Sequence, residues 1–230
     1  MKAAATPPAA PAGARKPQQQ RSRDRVDAVL REAEALILEA GIDGFSIPAL
    51  AERLGFPRAT IYMFFPTPYT VFSELAQRHL SALEAILAEK VQYIIAAPDW
   101  REETRRLVLT AAQYYTSNPV ASAVILGPLS ESGYRAWEAT MTRLGQFMRA
   151  MLTRRGLRLA PSEFDTAALA MEFGASSFRM SYFQHRRVTP AFAEAGAEVI
   201  VAFLAQRLHD ANREAGEVRR PRTRIARLRR

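Results

Sequence analysis

Between Phe45 and Phe65 the chain reads FSIPALAERLGFPRATIYMFF, and its apolar residues fall at two helical spacings with one glycine between them. Leu50, Ala51 and Leu54 share one face of a first short helix. Ile61, Phe64 and Phe65, at intervals of three and four, share the inward face of a second. Gly55 stands where the chain must turn sharply, which a residue without a Cβ does at least conformational cost. Ala51 is small where the two helices must cross closely. A small residue, a glycine and then buried apolar residues at this spacing are what a tight helix pair requires, and they predict a helix-turn-helix. The face of the second helix left free holds Pro57, Arg58, Ala59, Thr60, Tyr62 and Met63. A short helix presenting such a face fits the major groove of DNA.

Any αα-hairpin can carry this pattern, so the flanking sequence matters. From Arg23 to Ala40, residues Val26, Val29, Leu30, Ala33, Leu36 and Ile37 recur at helical spacing with charges between them. Gly41 stops that helix, and Gly44 lies in the connection that follows. Thr67 is placed to cap a fourth helix, with Pro68 in its first turn and Val71, Phe72 and Leu75 on its inner face.

With these residues in place, the stretch 23–75 resembles the DNA-binding domain of TetR-family transcriptional regulators. The resemblance is carried by Gly41-Ile42-Asp43-Gly44-Phe45-Ser46-Ile47, then Leu50-Ala51, Gly55-Phe56, and Thr60-Ile61-Tyr62 with Phe65. It implies that Ser46 holds a backbone phosphate, a role compatible with an ordinary N-cap. It implies further that Thr60 and Tyr62 contact the DNA backbone, that Arg58 and Ala59 face base edges, and that Met63 is a further reader. Arg58 is the leading candidate for direct readout, because a guanidinium bridges guanine O6 and N7, although a phosphate contact would also suit it. Ala59, Met63 and the Thr60 methyl suit thymine methyl groups. Three positions depart from the family pattern. Pro68 stands where a phosphate-gripping lysine is common, Phe64 where a histidine or tyrosine is common, and Pro48 where a polar residue is common. These imply an altered set of backbone contacts within an unaltered fold.

The net charge of +9 sits at the ends of the chain. Residues 1–25 carry six basic side chains, Arg21 and Arg23 among them, against Asp24, a balance of +5. Residues 213–230 carry eight arginines against two glutamates, +6, which leaves −2 for the body. Basic ends of this kind add salt-sensitive, sequence-independent attraction to phosphate. Arg21 and Arg23 are well placed for it, beside the reading unit, whereas Arg219–Arg230 read more simply as a solvated tail. The absence of cysteine excludes a disulfide framework and a thiolate metal site, and is compatible with a reducing cytoplasm. No run approaches the roughly 20 apolar residues needed to cross a bilayer, so no membrane partner is expected. Nor does the N-terminus have the apolar stretch of a signal peptide.

Past residue 75 the pattern is helical throughout, predicting an all-α chain of about nine helices. A helix from Pro68 should reach the 90s and end before Pro98, and Asp99 should cap the next, from Trp100 to Tyr115. Asn118-Pro119 opens a short apolar helix ending near Gly127-Pro128, and Glu131 to Arg155 forms another. Two long helices follow, from Pro161 to about Arg187 and from Thr189 to about Ala215. The organisation expected is a disordered basic arm over 1–22, a three-helix reader over 23–67, a helical ligand-binding and dimerisation domain over 68–215, and a disordered Arg-rich tail over 216–230.

Apolar residues spread around more than one face of the last two long helices, leaving a face spare for a partner. A core helix pair in a monomer would look similar. In the family this pair packs against its copy to make a four-helix dimer interface, which implies a homodimer with Met180, Phe183, Val199 and Phe203 as interface candidates. Two reading helices about 34 Å apart would then demand a palindromic operator in double-stranded DNA. Between the middle helices an apolar or aromatic small-molecule effector is expected. Its candidate lining is Tyr114, Tyr115, Trp137, Met141, Phe147 and Met148, with Phe173 and Phe178 opposite, though each also suits an ordinary core. No cofactor is implied.

An enzyme is the competing class, and little in the chain favours it. His79, His185 and His209 are widely separated, and neither a glycine-rich phosphate loop nor a Gly-x-Ser-x-Gly elbow occurs. The expectation is a ligand-responsive repressor released from its operator by a small molecule. The alternative is a sequence-tolerant architectural DNA-binding protein that needs no small ligand.

Overall fold

The structure is a computed structural model that describes residues 15–127 and 131–218, with side chains described over 20–127 and 134–208. Contacts divide the chain into two compact units, Met1–Val71 and Phe72–Arg230. The fold is all-α, with no strand among the described residues: an N-terminal helix-turn-helix unit is followed by a helical C-terminal unit.

In the first unit, α1 (Arg15–Gly44) begins before the expected Arg23. Lysine, arginine and glutamine are good helix formers, and Gln20 donates to the Asp24 carboxylate at 2.9 Å. The stretch from Arg15 is therefore helical, not part of a disordered arm; residues 1–14, where the rest of the expected arm falls, lie outside the described residues. Gly41, at φ 73° and ψ 176°, breaks the helical path before the short turn to Gly44. Val29, Leu30, Ala33, Leu36 and Ile37 are buried, and α2 (Ile47–Leu54) packs on α1 while α3 (Arg58–Phe64) packs on α2. Next, α4 (Pro68–Glu89) opens on reciprocal Thr67–Thr70 bonds: each backbone N–H donates to the other's hydroxyl oxygen at 3.3 Å.

In the second unit the expected single helix into the 90s is two. Lys90, at φ −86° and ψ 5°, separates α4 from α5 (Val91–Ile95). Arginines from elsewhere hold α5 and the turn after it. Arg106 stacks 4.6 Å from the Tyr93 ring and donates to the Tyr93 carbonyl at 2.8 Å, and Arg155 donates to the Ala97 carbonyl at 2.6 Å. Then α6 (Trp100–Ser117) starts at Asp99, whose carboxylate accepts from the Arg101 and Glu102 N–H groups. Those backbone donors hold the Asp99 carboxyl below the usual carboxylate range. A three-residue α7 (Pro119–Ala121) passes into a buried π-helical turn over Ser122–Leu126.

The remaining elements are α8 (Glu131–Arg154), α9 (Thr166–His185) and α10 (Pro190–Val218). The start of α9 falls later than the expected Pro161, because Asp165 accepts from the Ala167 and Ala168 N–H groups and fixes the first turn there. At its other end Arg186 takes the left-handed conformation, φ 56°. The last helix runs to Val218, beyond the expected Ala215, and the tail 219–230 lies outside the described residues.

Here α9 packs against both α8 and α10, and α10 also packs on α6. The crossings are close. A Cβ on Gly145 would lie 2.5 Å from the Ala168 backbone nitrogen, and one on Gly196 would lie 2.9 Å from the Gly174 carbonyl oxygen. The fully buried Glu103 is paired with Arg154 and Arg155. A buried carboxylate is tolerable only with such partners.

Candidate nucleic-acid interface

The helix-turn-helix is fixed by local bonds that the sequence dictates. Ser46 adopts an extended conformation, and its hydroxyl accepts from the Ala49 N–H at 3.3 Å, capping α2 with Pro48 in the first turn. At the other end Gly55 sits at φ 63°, ψ 26°. Its N–H donates to the Glu52 carbonyl and that of Phe56 to the Ala51 carbonyl, the paired bonds of a Schellman motif. The turn then delivers Pro57, whose carbonyl accepts from the Thr60 N–H at 2.9 Å as α3 begins.

With Ile61 fully buried and Phe65 nearly so, the orientation of α3 is set. Arg58 and Ala59 are exposed, Tyr62 is 44% exposed and Met63 68%, while Thr60 and Phe64 are half-buried. The exposed tip is therefore one cation, one methyl, a phenol and a thioether, which can offer hydrogen bonds and apolar contact to base edges.

Two arginines of this unit differ sharply. Arg53 is tied to Glu32 at 2.6 Å and doubly to Glu39, at 2.5 and 3.1 Å, so its charge is spent on holding α2 to α1. The Glu39 hydrogen bond raises the Arg53 pKa, and that bond in turn lowers the Glu39 carboxyl. Arg58 has no such partner among the described residues and remains available. Arg21 and Arg23 are likewise exposed on α1. Tyr69, in the first turn of α4, is 59% exposed.

Residues 29–75, spanning these helices, match the family model for bacterial regulatory proteins of the tetR family. The helix-turn-helix segment is of the tetR type. Solved structures share the fold well beyond that segment. A TetR-family regulator from Mesorhizobium loti MAFF303099 is 17% identical, with a TM-score of 0.58 over 81% of this chain and 98% of that one. A TetR variant from Acinetobacter baumannii AYE, solved with minocycline, is 21% identical, with a TM-score of 0.51 over 78% and 96%. A regulator from Saccharomonospora viridis, solved with choline, is 16% identical, with a TM-score of 0.51 over 80% and 96%. No curated protein sequence matches the chain.

In the second unit the aromatic residues expected to share one pocket are dispersed. An inner cavity of about 50 Å³ is lined by Tyr115, Trp137, Met141 and Phe178, with Leu83, Leu107 and Met171 among its aliphatic walls. Burial pushes the Tyr115 phenol well above its ordinary pKa, so it is a neutral hydroxyl. Trp137 donates through Nε1 to Glu172 at 2.6 Å, and Arg179 lies 5.5 Å from its ring. The other four candidates point elsewhere. Tyr114 hydrogen-bonds His79 Nδ1 at 2.8 Å, Met148 is buried against the Thr104 hydroxyl, and Phe147 lines a separate groove. Phe173 is 39% exposed, edge-on to Phe203 with ring centroids 5.0 Å apart.

Phe173 therefore belongs with the outward face of α9 and α10. Met180, Phe183 and Val199 are each about half exposed, with Phe203 partly covered by the Arg207 guanidinium. Spacings of seven and three carry 173, 180 and 183 down one side of α9, and 199 and 203 lie a turn apart on α10. Among the described residues no helix is long and apolar enough to cross a membrane.

Proposed function

We propose that this DNA-binding transcriptional regulator is a homodimeric repressor that holds a palindromic operator and is released by a small-molecule effector. The observation that carries the reading is the exposed face of α3, where Arg58, with no partner among the described residues, stands beside Ala59, Tyr62 and Met63 while Ile61 anchors the helix from behind. In this reading Arg58 and Ala59 read base edges, with Met63 beside them. Ser46, Thr60 and Tyr62 hold the phosphate backbone, and Arg21 and Arg23 add nonspecific attraction.

Dimerisation is supported by the apolar stripe on α9 and α10, since large exposed apolar residues at one helical phase mark a covered surface. Effector response is supported by the apolar cavity in the second unit and by similarity of fold to structures that hold minocycline and choline. Release requires the effector to bind the DNA-incompetent state more tightly than the DNA-competent one.

Selection of the full chain against random duplex DNA at about 150 mM salt tests this, because exposed charges are then screened beyond about 8 Å. The expected product is a palindrome. Retention without a motif, lost as salt rises, would overturn specific readout and leave an architectural protein bound through its basic residues.

A further inference from the structure

The inner cavity is nearly all hydrocarbon. At about 50 Å³ it is smaller than the roughly 150 Å³ that admits a benzene ring. Next to it lies an outer groove of about 310 Å³, between α4–α5 and α8. Leu87 and Leu144 line both spaces. Both side chains therefore border each space, and a change of leucine rotamer moves such a border without moving backbone. Joined, the two spaces reach the size range of small-molecule sites.

The chemistry changes along this line. Ala88, Val91 and Phe147 supply further apolar lining of the groove, and Glu84 with Arg143 its charged lining. One oxygen of Glu84 accepts from Arg143 at 2.9 and 2.6 Å and from the Thr140 hydroxyl at 3.1 Å. The two charges neutralise each other. An incoming carboxylate would meet Glu84, and an incoming ammonium would meet Arg143. A hydroxyl can accept from the guanidinium and donate to the carboxylate without disturbing the pair.

We propose that cavity and groove form one two-compartment site, partitioned by Leu87 and Leu144, for an elongated apolar molecule ending in an uncharged polar group. The apolar end fills the inner compartment and the polar end rests at Glu84 and Arg143. This rests on the effector-responsive reading above and specifies the class of molecule.

The test uses straight-chain 1-alkanols of about six to twelve carbons, a series that adds one buried methylene at a time, titrated into the full chain carrying Trp100→Phe. Trp137, which lines the inner cavity, is then the sole tryptophan of the two in the sequence. Affinity should rise about fourfold per added methylene, with a shift in Trp137 emission, until both compartments are full. No response, or a gain that ends with the shortest alkanol, overturns a joined site. At ten carbons the alcohol should bind more tightly than the carboxylate or the ammonium, each of which meets one like charge of the pair. An ion that binds more tightly overturns the neutral pair. Leu144→Phe, which adds bulk at that border, should weaken decanol about tenfold, and unchanged binding in a variant that melts like its parent overturns the partition. The length and head-group series stand without that variant if it does not fold. Operator release is followed in parallel. Alkanol binding without release leaves the two-compartment site standing and removes effector control, whereas release by other compounds with no alkanol binding does the reverse.

Discussion

Arg58 and Arg53 lie five positions apart on neighbouring helices, both on exposed surface, and the sequence favours Arg58 by its place on the free face of the second helix. What becomes of Arg53 is decided by the fold. Arg53 is committed to Glu32 and Glu39 across the α1–α2 contact, whereas Arg58 is the proposed reader of a base. Arg58→Ala should then lose about 1–3 kcal/mol of discrimination between the selected operator and single-base variants at one position. Competition binding against a panel of such variants measures it. Uniform weakening across the panel would make Arg58 a phosphate contact. Ser46 was legible as a cap because its partner is three residues away, whereas the carboxylates that occupy Arg53 come from another helix and no local pattern points to them.

At the scale of elements, two kinds of glycine do different work. Gly55 has open space around the position of a missing Cβ, and what it supplies is a positive φ. Gly196 has an ordinary φ, but a Cβ there would strike Ser177 and the Gly174 backbone, so what it supplies is absence of bulk where α9 and α10 cross. Gly55→Ala should cost about 1–2 kcal/mol from the left-handed conformation alone, with Gly55→Asn recovering much of it. Gly196→Ala should cost about 1–3 kcal/mol through overpacking, and Asn there should be worse. Denaturant melts of the four variants separate the mechanisms, and a Gly196→Asn protein as stable as its parent would disprove the crossing argument. The turn glycine was legible in the sequence, since Gly55 follows a short apolar helix. The crossing glycine was not, because nothing beside Gly196 in the chain announces that Gly174 lies against it.

For the whole molecule the open matter is assembly. Met180 and Phe183 sit on the exposed side of α9, away from the core that Phe178 and Tyr182 enter. Met180→Glu combined with Phe183→Glu should convert the proposed dimer into a monomer, because two carboxylates would have to be desolvated at the interface. Sedimentation at micromolar protein checks this, and operator affinity should fall with it, since each subunit would bind only a half-site. An unchanged dimer would move the interface off this face.

The chain alone determined the helical class, the helix-turn-helix and several of its caps. Ser46, Gly55, Thr67 and Asp99 act on backbone groups within five residues of themselves, so their work is written where they stand. Tertiary structure decided where the aromatic residues of the second unit point. α9 is apolar on more than one side, so its composition does not fix its rotation about its own axis. That rotation is set by close approach at Gly145, Gly174 and Gly196, which turns Phe178 toward the cavity and Phe173 outward to Phe203. A helix's period is a local property and its phase against its neighbours is not.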